Sequence, residues 1–188
     1  AIGYATLKSN VTGGDNTAVG ESSLRENETG CCNAVLGENA MTLNTSGCYN
    51  TSIGSFSLHN NTTADNNTAV GYQALKLNTT GAQNTAVGLD ALRDTTTGCR
   101  NTAMGYNSLV LNTTGICNVS IGRSTLDANT TGDFNTAVGN SALSGNTTAD
   151  NNTAVGHLSL NANTTGTRNT AIGTLALDAN TTADDNTA

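Results

Sequence analysis

A larger apolar residue returns every 17 residues along this chain, at Val19, Leu36, Ile53, Val70, Val87, Met104, Ile121, Val138, Val155 and Ile172. Five residues after each stands a second one: Leu24, Met41, Leu58, Leu75, Leu92, Leu109, Leu126, Leu143, Leu160 and Leu177, with Leu7 ahead of them. The first belongs to the pentapeptide Asn16-Thr17-Ala18-Val19-Gly20, which recurs unchanged at 67–71, 84–88, 135–139 and 152–156 and with small changes in the other copies. Numbered from that Asn, position 5 is always Gly, and positions 3 and 8 are almost always Ala or Ser. Position 12 is Asn except at Thr95, position 14 is Thr or Ser, and position 15 is Gly or Ala. Positions 6, 7, 10, 11, 16 and 17 vary freely.

Side chains on a strand alternate between faces, so Thr17 and Val19 share one face and Asn16, Ala18 and Gly20 the other. Both faces are restricted from copy to copy, which is the pattern of a strand covered on both sides. On that reading Thr at position 2 is buried beside the apolar residue at 4, and positions 8 and 9 set a small residue opposite a Leu. Gly at 5 and Gly or Ala at 15 mark bends, leaving two or three short strands per turn. Thr, Asn and Gly are too dense for helix interiors, and a two-helix repeat needs roughly twice this length.

The period therefore predicts an all-β parallel β-solenoid (β-roll), one 17-residue repeat per turn, in about eleven turns spanning residues 1–188 as a single array. Rungs about 4.8 Å apart give a rod roughly 50 Å long, with identical positions stacked into ladders. Asn at positions 1 and 12 is expected to form amide ladders that satisfy backbone groups at the corners. So thin a coil buries little area at ~25 cal/mol per Å². The expectation is self-association through its apolar stripes, Val19, Ile53, Val70, Val87, Ile121, Val138, Val155 and Ile172 with Leu75, Leu92, Leu109 and Leu143, a three-fold bundle being favoured. Neither end carries an atypical capping turn, which points to a segment of a longer fibre or to end-to-end growth into a filament.

Composition refines this. Apolar residues make up 36% of the chain, with no Trp or Pro, and a fixed period held throughout argues against the disorder that such a composition otherwise suggests. The net charge of −7 is spread along the chain, with no basic patch for nucleic acid. No apolar run approaches the ~20 residues of a membrane span.

The run Asn-Thr-Ala-Val-Gly-x-x-Ala-Leu resembles the repeat of YadA-like heads of trimeric autotransporter adhesins. Arrays of Asn-Thr-Ala-x-Gly followed by Asn-Thr-Thr-Gly, as at Asn78–Gly81, also look like repeats in bacterial surface-fibre and tail-fibre proteins. The adhesin repeat is 14 residues long, whereas this one is 17. The resemblance implies a left-handed β-roll, a homotrimer, and a location on the cell surface or outside the cell.

Asn-x-Ser/Thr sequons fill position 12, at Asn61, Asn78, Asn112, Asn129, Asn146, Asn163 and Asn180 among others, and occur off that row at Asn50, Asn60, Asn66, Asn118 and Asn151. They read either as glycan acceptors on a fibre or as bend chemistry, in which Asn and Thr cap turns. Asn66 and Asn151, in variable corners, are the better acceptors. The Thr rows raise an ice-binding reading, although neighbours such as Thr79 and Thr80 should point opposite ways.

The five cysteines, Cys31, Cys32, Cys48, Cys99 and Cys117, all fall at positions 16 and 17. Rungs are close enough for disulfides, Cys31–Cys48 or Cys32–Cys48 together with Cys99–Cys117, leaving one thiol to pair between chains or stay free. Disulfides would suit an oxidising, extracellular setting. Free surface thiols are the alternative. No metal site is expected, since no Cys-x-x-Cys is present and His59 and His157 lie at other positions. Corner acids Asp65, Asp133, Asp150, Asp184 and Asp185 lack the glycine-rich pattern of calcium-binding rolls. Tyr4, Tyr72 and Tyr106 could stack on sugars.

No nucleophile–base arrangement, phosphate loop or carboxylate pair is visible, and no cofactor is implied, so the chain is not expected to be an enzyme. The expected function is a structural or adhesive extracellular fibre protein that self-associates into a trimer or filament. The alternative is a solenoid that binds a ligand, ice or carbohydrate.

Overall fold

The computed structural model describes residues 1–188, an all-β parallel solenoid with no helix. Ten three-residue strands follow at 17-residue steps: β1 (Thr17–Val19), β2 (Ala34–Leu36), β3 (Thr51–Ile53), β4 (Thr68–Val70), β5 (Thr85–Val87), β6 (Thr102–Met104), β7 (Val119–Ile121), β8 (Thr136–Val138), β9 (Thr153–Val155) and β10 (Thr170–Ile172). They pair in parallel in strict chain order, β1 to β10, like position on like position. Single bridges, Ile2 to Val19 and Thr170 to Thr187, extend the ladder at both ends.

Each turn holds one short strand, not the two or three expected. The reason is backbone handedness. Positions 7, 9 and 17 have positive φ in every turn, as at Gln73 (56°), Leu75 (52°) and Gln83 (62°). A left-handed residue costs roughly 1–2 kcal/mol and breaks the alternation of a strand. The ladder nevertheless continues around the coil: of 125 backbone hydrogen bonds, 107 lie outside the strands. Leu75 N–H donates to Ala91 C=O on the next turn, for example, at 3.0 Å.

Position 5 must be Gly. Gly88 has φ +136°, and a Cβ there would stand 2.5 Å from the Gly105 carbonyl oxygen on the next turn. The same close approach repeats along the rod, so the bend is both left-handed and too crowded for a side chain.

The interior is built from Ala at position 3 and Leu or Met at position 9. Ala69, Ala86, Leu75 and Leu92 are fully buried and belong to one continuous core cluster. The small residue at 8 is buried too, because the left-handed residue at 9 turns the Leu inward beside it. Where Ser replaces Ala inside, Ser52 and Ser57 partner each other, their hydroxyls 2.6 Å apart, whereas the buried Ser23 hydroxyl has no partner.

This placement corrects one expected stripe. Leu75, Leu92, Leu109 and Leu143 line the inside of the coil at 0% exposure and offer nothing to another chain. It also corrects position 2: the Thr row shares its face with the apolar residue at 4, but that face points outward and both are half-exposed or exposed.

Candidate functional site: the ladders and the outward sheet face

Two asparagine ladders run along the rod, the one at position 12 broken at Thr95. In the position-12 ladder, Asn44 Nδ2 donates to Asn27 Oδ1 of the preceding turn at 2.7 Å and to Gly47 C=O of its own turn at 3.0 Å. Asn61 and Asn78 repeat this toward Asn44 and Asn61. In the position-1 ladder, Asn33 Oδ1 accepts both the N–H and the Nδ2 of Asn50, at 3.0 and 3.1 Å. Asn33 Nδ2 reaches the same Gly47 carbonyl, at 2.9 Å, so position 15 joins the two ladders. Inside a thin coil these amides satisfy corner groups that no water reaches.

The ladders decide the sequons. Asn50, Asn61, Asn78, Asn112, Asn118, Asn129, Asn146 and Asn163 are buried and spend their amide nitrogens inside the coil. As glycan acceptors in the folded rod they are therefore corrected. Asn180, on the last rung, is half-buried and holds Asn163 Oδ1 and Ala183 C=O. Asn66 and Asn151 are exposed at position 17 and remain accessible.

The adjacent Thr residues behave as two rows. At position 13, Thr62, Thr79 and Thr96 each donate a hydroxyl to the carbonyl of the next rung's Thr, at 3.0 to 3.2 Å. At position 14, Thr63, Thr80, Thr97 and Thr114 are exposed.

Position 16 carries a role that its variability hid. Where it is Asp, its side chain accepts the backbone N–H of position 16 one turn earlier. Asp65 takes Cys48 N–H, Asp133 takes Ile116 N–H and Asp150 takes Asp133 N–H, each at 2.7 Å. Asp184 takes Thr167 N–H at 2.6 Å, a bond that holds its carboxyl below the usual range. The corner acids are thus backbone caps, and Asp185 pairs with Arg168 instead. The signal was present in the 17-residue recurrence of short acceptor side chains. No three His, Cys, Asp or Glu side chains converge as metal ligands.

Cys48 fills the same place with sulfur. Cys31 N–H donates to Cys48 Sγ at 3.0 Å, and the two sulfurs lie 2.8 Å apart. Cys32, at position 17, is exposed. Cys99 and Cys117 are joined only through the backbone, Cys117 N–H to Cys99 C=O at 3.0 Å.

The remaining feature is the outward face of the ten-stranded sheet. Val19, Val70, Val87, Val138 and Val155 are half-buried there, while Ile53 and Ile121 are 39% exposed and Ile172, on the end rung, 64%. Tyr4, Tyr72 and Tyr106, just past the bend, are also exposed. No pocket opens anywhere on the rod, and no helix is long and apolar enough to cross a membrane.

No family model matches the chain, and neither the curated proteins nor the solved structures contain a match to it.

Proposed function

We propose that this chain is the rod of a structural or adhesive extracellular fibre, which self-associates through the position-2 and position-4 face of its sheet. The observation that carries this reading is a mismatch between exposure and variability. Outward positions 6, 11 and 17 change freely from turn to turn. Positions 2 and 4 also face outward, yet they keep Thr and a larger apolar residue in nearly every turn, with no contact inside the coil to require it. A second copy of the chain is the partner that matches such a surface, because it repeats the same row at the same rung spacing along its whole length.

The finer features belong to the same proposal. The coil is left-handed with about eleven turns, three chains pack their sheet faces together, and rods continue end to end in a longer fibre at the cell surface. The likeness to YadA-like adhesin heads supports the trimer and the location. A convex surface without a pocket supports a mechanical role over catalysis.

The test is light scattering behind size exclusion, comparing the native chain with Val70→Lys/Val87→Lys. Both sites are half-exposed, so Lys fits the folded coil. The expected result is an oligomer that dissociates in the variant with its β-sheet circular dichroism unchanged. An equal mass for the two proteins would remove the proposal.

One observation favours a second reading. Thr at 2 and the aliphatic residue at 4 stand side by side on a regular, outward, half-exposed sheet, an arrangement suited to ordering water as an ice-binding surface. Thermal hysteresis of the monomeric Lys variant against a monomeric native sample would detect it.

A further inference from the structure

We propose that Cys31 and Cys48 are a paired oxidation site, two thiols on consecutive turns that close into a disulfide stapling one rung to the next. Three observations converge on this pair. The two sulfurs lie 2.8 Å apart, in direct contact. Both residues occupy position 16, where Cys48 and the four aspartates Asp65, Asp133, Asp150 and Asp184 each reach the backbone of the turn before, so the fold itself stacks them. Cys32, the competing thiol, sits at position 17, exposed and on a left-handed residue (φ 57°), outside that stack.

The geometry also orders the chemistry. Cys31 N–H donates to Cys48 Sγ, and Cys31, whose own thiol is raised, is the slower of the two to react, so Cys48 is the first nucleophile. The Cys48 sulfur in turn pushes the Cys31 thiol up to about 12, followed by burial, so Cys31 keeps its proton while Cys48 reacts. The oxidant is a small disulfide such as oxidised glutathione. Cys48, its proton lost to solvent, attacks one sulfur of that disulfide. The small S–S bond breaks, one glutathione thiolate leaves, and a mixed disulfide forms on Cys48. The hydrogen bond with Cys48 that raised the Cys31 thiol is then gone. Cys31 loses its proton, attacks Cys48 Sγ and expels the second glutathione thiolate. Two protein thiols are oxidised and one small disulfide is reduced to two thiols.

The bond closes a loop of one repeat at the corner, off the sheet face, and so leaves the proposed association surface untouched. Its effect is local: turns on either side of the staple resist separation, in a rod whose turns otherwise hold each other only by hydrogen bonds and a thin core.

The test uses the full chain, reduced and then exposed to oxidised glutathione at pH 8, quenched by alkylation. Cleavage after glutamate and aspartate puts Cys31 and Cys32 on residues 29–38 and Cys48 alone on residues 39–65, the fragmentation spectrum of the linked pair distinguishing Cys31 from Cys32. The expected product is a pair of peptides linked through Cys48, with a mass two hydrogens below the reduced pair. Cys32→Ser keeps the link, whereas Cys31→Ser and Cys48→Ser abolish it. Thermal melting of the oxidised chain should rise by about 5–10 °C over the reduced one. Recovery of Cys48 alkylated, capped by glutathione, or linked to Cys32 in the native sequence would overturn the assignment.

Discussion

Asn78 and Thr95 stand on consecutive turns at position 12, and the buried Asn78 Oδ1 has no hydrogen-bond partner. Neighbouring rungs show what is missing. Asn61 Oδ1 receives Asn78 Nδ2 at 2.9 Å, and Asn112 Oδ1 receives Asn129 Nδ2 at 3.0 Å. Thr95 has no amide to donate, and Asn112 reaches its hydroxyl only at 3.4 Å. One substitution thus interrupts a ladder that otherwise runs the length of the rod.

Thr95→Asn should therefore stabilise the protein. It supplies a donor to Asn78 Oδ1 and a second amide for the Gly98 carbonyl, which accepts only from Asn84. The expected gain is about 1 kcal/mol, read from urea unfolding. A midpoint at or below that of the native chain would mean that the ladder does not carry stability.

Gly88→Ala addresses the bend. With φ +136° and a carbonyl 2.5 Å from where the Cβ would stand, the turn must shift against the next one. A loss of about 2–4 kcal/mol is expected in the same unfolding experiment. A variant as stable as the native protein would show that the turns are not packed at this spacing.

Expression in a host that glycosylates Asn-x-Ser/Thr separates the two readings of the sequons. Occupancy should be confined to exposed sites, Asn66 and Asn151 foremost, with Asn61, Asn78 and Asn129 unmodified. Peptide mass mapping checks this, and glycans on the position-12 row would contradict the inward ladder.

Asp127 carries a pH dependence. Burial pushes its carboxyl pKa up, and its backbone hydrogen bonds offset this only partly. A carboxyl raised in the folded state favours folding at low pH and opposes it as pH rises from its unfolded value through its folded one. Asp127→Asn should therefore raise the melting temperature at pH 7, with the difference vanishing near pH 3. A variant that melts lower at pH 7 would show that the charge at this site is stabilising.

Much of this architecture was legible in the residues. The 17-residue period gave one turn per repeat and the like-on-like stacking of β1 to β10, and the recurring Asn gave the ladders. Strict alternation of faces does not extend beyond the strand. It holds at Thr68, Ala69 and Val70, where Ala alone faces in. It fails at Ala74 and Leu75, both buried, because Leu75 is left-handed and no propensity of Leu signals that conformation. The same failure turned the Leu row from a surface stripe into core. The position-16 caps were hidden for another reason: Asp65 and Cys48 look unrelated as residue types, yet both place an acceptor at the same point on the corner.

The central proposal is that the outward Thr and Val/Ile face joins copies of this chain. Sedimentation equilibrium of the native chain tests it most directly, because the mass reports association without labels or substitutions. Association through this face gives a concentration-stable species at three times the 19.0 kDa polypeptide mass, or a larger multiple where rods grow end to end. A single 19.0 kDa species across the full concentration range would contradict it and leave the outward face to a ligand.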